Sequence, residues 1–323
     1  MDSWHQNEKR AVLRGANVAY VDFGGPEKPE ALCVLVHGLG GASVNWAALT
    51  PLLTSRFRCV ALDLVGFGMT EPGDRGANVR HNTGLLTAFV KMITQDYPGL
   101  PLLLVGNSMG GLITARYAAK RPAPPVPVAG LVLLDPALPA PGLVPGMFGV
   151  LAAGLLAVPA VGRGAARARR SLRTPEQNVN DTLRWCTADP SRIDPDVVAA
   201  HLPLAHRRQF RPEMDRYYGA AARSTLTTVA LRQATDAMYA RVKAPVLLIH
   251  GTRDRLVSFS GAVRMARRNP SWRFAPASDS GHLPMLEHPG WTAAQLFAWW
   301  DSVVVADGEL AHDDVADDGV LDD

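Results

Sequence analysis

The feature that most constrains the fold is an apolar run that stops at a glycine-bounded pentapeptide and continues as a helical pattern. Residues 102–105 read Leu-Leu-Leu-Val, and residues 106–110 read Gly-Asn-Ser-Met-Gly. The residues after this pentapeptide fit a helix. The sequence therefore predicts a buried strand that turns sharply into a helix. Side chains at Gly106 or Gly110 would collide with the neighbouring strand and helix, and Ser108 at the tip would adopt strained backbone.

Such a turn holds the hydroxyl of its central serine above the edge of a sheet, where a base can activate it. Two downstream segments supply candidate partners for Ser108. A buried-strand pattern over 245–250 is followed by Asp254, and a later turn-rich loop carries His282. Upstream, an apolar strand ends in His-Gly-Leu-Gly-Gly at residues 37–41. Glycines at such a position let backbone N–H groups approach a developing oxyanion.

Together these four segments resemble the α/β-hydrolase superfamily, and the resemblance covers most of the chain. It implies that Ser108 is the nucleophile, His282 the base and Asp254 the acid that orients the base. It further implies an oxyanion hole formed by the backbone N–H groups of Leu39 and Met109. The combination of segments, in this order along the chain, is far more specific than any one motif.

A second carboxylate competes with Asp254 for the role of the acid. Asp135 ends the strand predicted at 129–134, where some members of the family place this group, and the alternative stays open although Asp254 is favoured. Asp63, in a loop typical of the family, is interpreted as structural. The other histidines show no clustering with cysteines or carboxylates, so neither a metal site nor a cofactor is predicted.

The coarse pattern predicts an α/β fold with a mostly parallel, eight-stranded sheet and helices on both faces. The first two strands are expected to form a hairpin. Strands are predicted near 10–14, 17–23, 31–36, 58–63, 101–106, 129–134, 245–250 and 272–276. Helices are predicted near 43–54, 82–96, 109–120, 258–268 and 290–304.

The alternation of strands and helices breaks in the middle of the chain, which predicts an inserted domain. We expect an α/β-hydrolase core over 1–136 and 236–306 and a helical cap or lid over 137–235. Residues 307–323 contain eight acidic and no basic residues, so a disordered acidic tail is expected. The remaining 306 residues hold 33 basic and 22 acidic side chains, a net charge of +11.

The first part of the predicted cap carries no charged residue from Pro136 through Gly162, and an arginine cluster follows. Two interpretations stay open: a mobile cap that lines an acyl pocket, or a segment that lies on an anionic membrane surface. A membrane span is disfavoured, because it would separate two halves of one sheet. Candidate pocket walls are Trp46, Met147, Phe148 and Trp185, although core packing is the favoured interpretation of each.

These patterns predict a serine hydrolase that cleaves a carboxylic ester of a hydrophobic small molecule or lipid. Thioester, lactone and carbon–carbon bond hydrolysis use the same triad and stay open, as does a non-catalytic ligand-binding protein on this scaffold. Serine at the nucleophile position argues against dehalogenase and epoxide hydrolase chemistry, whose relatives use aspartate. No nucleic-acid partner is expected, since no recognisable binding motif occurs. The chain has only three cysteines and no signal-like N-terminus, which favours a cytoplasmic location. Peripheral contact with a membrane stays open. The sequence does not indicate an oligomeric state.

Overall fold

One eight-stranded sheet organises the molecule, whose computed structural model describes residues 7–139, 173–209, 211 and 214–313. Its strand order is β1-β2-β4-β3-β5-β6-β7-β8. The strands are β1 Glu8–Leu13, β2 Ala16–Gly24, β3 Leu32–Val36, β4 Arg58–Leu62, β5 Leu102–Asn107, β6 Gly130–Leu134, β7 Val246–Gly251 and β8 Arg273–Ala277.

The pairing of these strands confirms the predicted hairpin and the mostly parallel sheet. β1 pairs with β2, and β2 with β4, in antiparallel fashion, whereas every other pairing is parallel. The central strands β3, β5, β6 and β7 are buried at every residue. Uninterrupted apolar runs are what a parallel sheet covered on both faces requires. Each observed strand lies within two residues of its predicted position.

Helices cover both faces of the sheet, and a block of them lies between β6 and β7 in the chain. They are α1 Thr50–Leu53, α2 Val79–Ile93, α3 Met109–Ala118, α4 Pro175–Cys186, α5 Pro195–Ala200, α6 Leu202–Gln209, α7 Met214–Ala230, α8 Arg232–Tyr239, α9 Phe259–Arg268, α10 Pro284–Glu287 and α11 Pro289–Asp313. Short 3₁₀ turns at Ser43–Trp46 and Pro190–Arg192 complete the set in the described ranges.

The two faces of the sheet belong to separate hydrophobic clusters. One joins β5 to the apolar faces of α2 and α3, and it includes Phe89 and Leu112. The other joins the opposite face to α11 through Trp299 and Trp300. Helix α2 begins where Asn78 accepts a hydrogen bond from the His81 N–H at 2.8 Å, which is a standard N-cap.

The region between β6 and β7 is helical in its described part. Helix α7 packs on the loop after β4, because the Cβ of Tyr217 lies 2.5 Å from the position that a Cβ on Gly66 would occupy. Helix α8 is tied to the segment after β6 by a 3.0 Å hydrogen bond from the Tyr239 hydroxyl to the Ala137 carbonyl. Most of the uncharged stretch that begins at Pro136 falls outside the described residues.

The last helix is longer than the sequence predicts. Its backbone continues to Asp313, so the tail boundary predicted at residue 307 falls inside α11, and residues 314–323 lie outside the described part. Among the described helices, none combines the length and the apolarity needed to cross a lipid bilayer.

Candidate active site

Ser108 lies at the tip of the tight turn between β5 and α3. Its φ of 54° falls in the left-handed region, which is unusual for a residue with a side chain. The strained turn is held on both sides, since the Ser108 N–H donates to the Leu134 carbonyl at 3.0 Å and its carbonyl accepts from the Ala137 N–H at 2.9 Å. Ser108 remains partly accessible although its neighbours Asn107 and Met109 are buried. The fold therefore presents this hydroxyl while fixing its backbone.

Two glycines make the turn sterically possible, as the sequence predicts. A Cβ at Gly106 would lie 2.7 Å from the Gly110 carbonyl oxygen. A Cβ at Gly110 would lie 2.1 Å from the carbonyl oxygen of Val36 on the neighbouring strand β3. Both distances are below any real Cβ contact. A side chain at either position would therefore push α3 away from the sheet and displace Ser108.

His282 and Asp254 form a buried pair next to this turn. The imidazole Nδ1 lies 2.7 Å from Asp254 Oδ2, and the Asp254 side chain is fully buried. The other carboxylate oxygen, Oδ1, accepts the N–H groups of Leu256 and Val257 at 2.7 and 3.1 Å. Asp254 is thus fixed in rotation, and it in turn fixes the ring of His282.

A side-chain bridge ties the serine turn to the histidine loop. The Asn107 amide donates to the His282 carbonyl and to the Leu134 carbonyl, both at 3.1 Å. Asn107 immediately precedes Ser108, so the loop that carries His282 is held directly against the strand end that carries the serine. The structure therefore places Ser108 and the His282–Asp254 pair at the same carboxyl edge of the parallel strands, where sites in open α/β sheets form.

Asp135, the competing carboxylate, lies beside Asp254 but is held differently. Its Oδ1 accepts the Gly251 N–H at 2.8 Å, and its Oδ2 is buried without a partner. The structure thus pairs the imidazole with Asp254. One ligand atom from each of Asp135, Asp254 and His282 fits within 4.8 Å, which makes this the one cluster in the described ranges close enough to share a metal ion.

The pKa values of the two carboxyl groups shift in opposite directions. Burial raises the pKa of Asp135 far above its usual value, and the adjacent charge of Asp254 adds to this rise. Burial alone would also raise the pKa of Asp254, but the facing His282 imidazole and its hydrogen bond lower it overall. Burial likewise lowers the pKa of His250, whose Nε2 lies 3.5 Å from Asp254 and 3.7 Å from Asp135. The two shifts therefore favour the anionic form of Asp254 and the neutral form of Asp135.

We expect the substitution Asp135→Asn to stabilise the protein at alkaline pH. A carboxyl whose pKa is raised by folding makes the protein less stable as the pH rises above the unfolded pKa of about 4, because the folded state holds a proton that the unfolded state releases. An asparagine keeps the acceptor for Gly251 and lacks this proton. In thermal unfolding from pH 4 to 9, the melting temperature of the variant should rise relative to that of the wild type as the pH increases. A constant difference across that range would mean that Asp135 is ionised in the fold.

The loop after β3 lies against the serine turn. The position of a Cβ on Gly38 would be 2.9 Å from the Cβ of Ser108, so the two backbones are in contact. Met109 is the first residue of α3, and its N–H therefore has no helical acceptor. Within the described part of the chain, the Leu39 N–H also donates to no protein acceptor. Two free N–H donors, from Leu39 and Met109, thus belong to backbone segments that meet at Ser108.

Side chains from neighbouring loops fix this arrangement. Asp63 accepts the N–H groups of Ser43 and Met69 at 2.6 and 2.7 Å, which is a structural role. The ring of His37 bridges two loops, since its Nε2 accepts the Leu64 N–H at 3.0 Å and its Nδ1 contacts the Gly38 carbonyl at 2.7 Å. Both residues therefore hold the loop that carries Leu39.

Glu287 is a residue of the site that the sequence reasoning missed. It is buried at 4% exposure, and its carboxylate accepts the N–H groups of Gly281, Ala188 and Asp189 at 2.7, 2.8 and 3.2 Å. The His282 N–H donates to the Cys186 carbonyl at 2.6 Å. Glu287 thus clamps the histidine loop to the end of α4. The one available signal was an acidic residue within the otherwise apolar segment 283–287.

We expect the substitution Glu287→Gln to lower both stability and turnover. The amide group would turn N–H donors toward the backbone donors of Gly281 or Ala188, and a buried donor without an acceptor costs about 1–3 kcal/mol. Thermal unfolding and ester hydrolysis should both be measured, with the exposed Glu27→Gln as the matched control. An unchanged melting temperature and kcat in the Glu287 variant would contradict the role of Glu287 in holding the histidine loop to the end of α4.

The candidate pocket walls fall into three situations. Trp46 is fully buried in the cluster that also contains Leu35 and Trp300, so its surroundings are those of packed core. Trp185, on α4, is 53% exposed and faces solvent over much of its surface. Met147 and Phe148 lie outside the described residues. For the two tryptophans, the observed environments favour packing and surface positions over the wall of an enclosed pocket.

The chain matches the model of a family described as serine aminopeptidase S33, over residues 27–283. It is 30% identical over 265 residues to a pimeloyl-[acyl-carrier protein] methyl ester esterase of Aromatoleum aromaticum, an alignment that covers 79% of this chain and 92% of that relative. It is 26% identical over 287 residues to a monoacylglycerol lipase of Mycolicibacterium smegmatis, with 87% of each chain covered.

Solved structures show the same fold. The crystal structure of a membrane phospholipase A, a bacterial virulence factor, superposes with a TM-score of 0.65 and 28% identity, and the match covers 92% of this chain and 86% of that one. A haloalkane dehalogenase from Bradyrhizobium elkani superposes with a TM-score of 0.71 at 20% identity, covering 93% and 99% of the two chains, which is a likeness of fold alone.

Proposed function

Since this chain is a member of the serine aminopeptidase S33 family within the α/β-hydrolase superfamily of serine hydrolases, we propose that it cleaves carboxylic esters of hydrophobic small molecules or lipids with the triad Ser108, His282 and Asp254. The observation that supports this proposal best is the buried 2.7 Å contact between His282 and Asp254, tied by Asn107 to the strained serine turn. A serine hydroxyl becomes a nucleophile when such an oriented base removes its proton.

The reaction follows from these positions. Asp254 accepts a hydrogen bond from the Nδ1–H of His282 and stays ionised. This bond fixes the tautomer whose unprotonated Nε2 takes the proton of Ser108 as the serine oxygen attacks the ester carbonyl. The N–H groups of Leu39 and Met109 hold the negative charge that develops on that carbonyl oxygen. The protonated His282 then gives its proton to the leaving alcohol. A water molecule, deprotonated by His282, finally cleaves the acyl-enzyme and restores the serine.

The cap is part of the proposed active enzyme. We assign the core to 1–136 and 236–306 and the cap to 137–235. Helix α8 spans the second boundary, and its Tyr239 hydroxyl donates to the carbonyl of Ala137, next to the first boundary. Cap backbone at Cys186 touches the histidine loop, and cap residue Tyr217 covers the loop at Gly66. A cap that closes over the nucleophile excludes water and shapes the acyl site.

A lipid-like acyl substrate is supported by the relatives and by composition. The relatives include a monoacylglycerol lipase and a methyl ester esterase, both ester hydrolases by name. The uncharged stretch of the cap, residues 136–162, supplies the apolar side chains that an acyl chain requires. Trp46 and Trp185 are not needed for this proposal, whereas Met147 and Phe148 within that stretch are its candidate contacts.

The test is hydrolysis of p-nitrophenyl esters from two to sixteen acyl carbons, together with a monoacylglycerol series. We expect kcat/KM to rise from acetyl to medium or long chains, because each buried methylene contributes about 0.8 kcal/mol of binding. A maximum at acetyl would contradict the apolar acyl site. Thioester, lactone and aminoacyl amide substrates should run in parallel, since turnover of one of these with no ester hydrolysis would replace the ester proposal.

A further inference from the structure

A cavity lined by cations lies at the end of α3 farthest from Ser108. We call it the α3 basic pocket, and it has a volume of about 360 Å³. Helix α3 starts next to Ser108 and runs antiparallel to β5, so its last turn lies roughly 12–15 Å away, at the amino edge of the sheet. The lining residues are Arg116, Ala119, Lys120, Arg121, Met238 and Arg241. The pocket is therefore separate from the candidate active site.

Its four cationic side chains have no acidic partner within the described ranges. No ion pair there involves Arg116, Lys120, Arg121 or Arg241. The Nε of Arg116 is buried and makes no hydrogen bond. Lys120 donates to the Thr87 hydroxyl, which is neutral. Asp236, on the same helix as Met238, is engaged by Arg264 at 2.7 Å. The pocket thus concentrates positive charge without compensation.

Ordinary structural roles account for only part of this charge. One cation near the end of α3 is favoured, because the helix dipole places partial negative charge there. Four cations around one cavity repel one another. Burial lowers the pKa of Arg116, and the charges of Arg241 and Arg80 lower it further. An anion in the pocket would offset the repulsion among these cations, and it would give the Arg116 Nε–H the acceptor that it lacks.

We propose that the α3 basic pocket binds the phosphate group of a small molecule. Guanidinium groups match phosphate oxygens in pairs, and a lysine adds a compact point charge. The volume lies in the range of small-molecule sites and exceeds what one inorganic phosphate fills, which favours a diphosphate or an organic phosphate. A membrane headgroup fits less well, since docking at the amino edge would turn Ser108 away from the bilayer.

Binding should be measured with inorganic pyrophosphate by calorimetry and by thermal unfolding, at an ionic strength held constant with sodium chloride. The proteins are the wild type, Arg116→Gln, Arg241→Gln and the matched surface control Arg273→Gln, which lies on β8 and does not line the pocket. We expect pyrophosphate to raise the melting temperature of the wild type and the control, because a ligand that binds only the folded state stabilises it. Each pocket variant should weaken binding by at least tenfold.

Equal shifts in all four proteins, or no shift in any, would overturn the proposal. Cosedimentation with phosphatidylserine vesicles forms the second arm. Vesicle binding that needs Arg116, with no pyrophosphate binding, would transfer the site to a lipid surface and overturn the small-molecule assignment. The inactive Ser108→Ala protein should bind pyrophosphate as well as the wild type does, so failure of the esterase proposal leaves this result intact.

Discussion

Replacing Ser108 with alanine should reduce ester turnover by about a millionfold, because the acyl-enzyme cannot form without the hydroxyl oxygen. The small residual rate would come from substrate binding and the oxyanion donors. The substitution should leave the fold intact, since the backbone of Ser108, and not its side chain, makes the hydrogen bonds to Leu134 and Ala137. Ser271→Ala, at an exposed position, is the matched control.

Two measurements decide this prediction. The first is kcat/KM on the best ester of the series, with melting temperatures to show that both variants fold. The second is labelling with a fluorophosphonate, which should add mass to the wild type and to the Ser271 variant but not to the Ser108 variant. Retained turnover, or labelling at another serine, would show that the nucleophile had been assigned to the wrong residue.

Asp254→Asn should reduce kcat by about ten-thousandfold, the second largest effect that we expect. An asparagine can donate to Nδ1 of His282, which favours the tautomer whose Nε2 carries the proton and cannot accept one from Ser108. It also leaves the imidazolium that forms during the reaction without a facing charge. The hydrogen bonds from Leu256 and Val257 can persist to the remaining carbonyl oxygen, so the loop should keep its shape.

Asp135→Asn is the informative comparison, since it changes the same chemical group at the neighbouring strand end. We expect it to cost less than about tenfold in kcat, because Asp135 binds the Gly251 N–H and not the imidazole. The reverse order of effects would make Asp135 the acid. The double variant measures whether the two carboxyl groups are coupled, as contacting residues usually are. A loss no larger than that of Asp254→Asn alone would mean that Asp135 does not substitute for the missing acid.

The sheet could be predicted closely because its strands carry local signals. Uninterrupted apolar runs such as Leu102–Val105 are long enough to predict a buried parallel strand, and the glycines at 106 and 110 mark the turn that follows. Proximity of Asp254 and His282 follows from the same logic, since both come after strands that end at one edge of the sheet. These features depend on residues close together in the sequence.

The remaining parts of the site depend on contacts between distant segments. Glu287 binds the backbone of Ala188, 99 residues away in the chain. No local sequence pattern predicts such a contact. The choice between Asp135 and Asp254 has the same origin, because both follow buried strands and only the packed loop shows which carboxylate meets the imidazole. The bounds of cap helices such as α4 were not predicted, since the sequence indicated only a helical cap over 137–235.

The bond between the His282 N–H and the Cys186 carbonyl bears on how lids could be exchanged between such hydrolases. A chimera that imports a foreign lid at the outer boundaries of the insertion would remove the acceptor of that N–H and the two amides that Glu287 binds. The activity of that chimera would then reflect the misplacement of His282 instead of the specificity of the new lid. A graft whose splice point lies after Asp189 would retain these anchors, and only the part of the lid that meets the acyl chain would then vary.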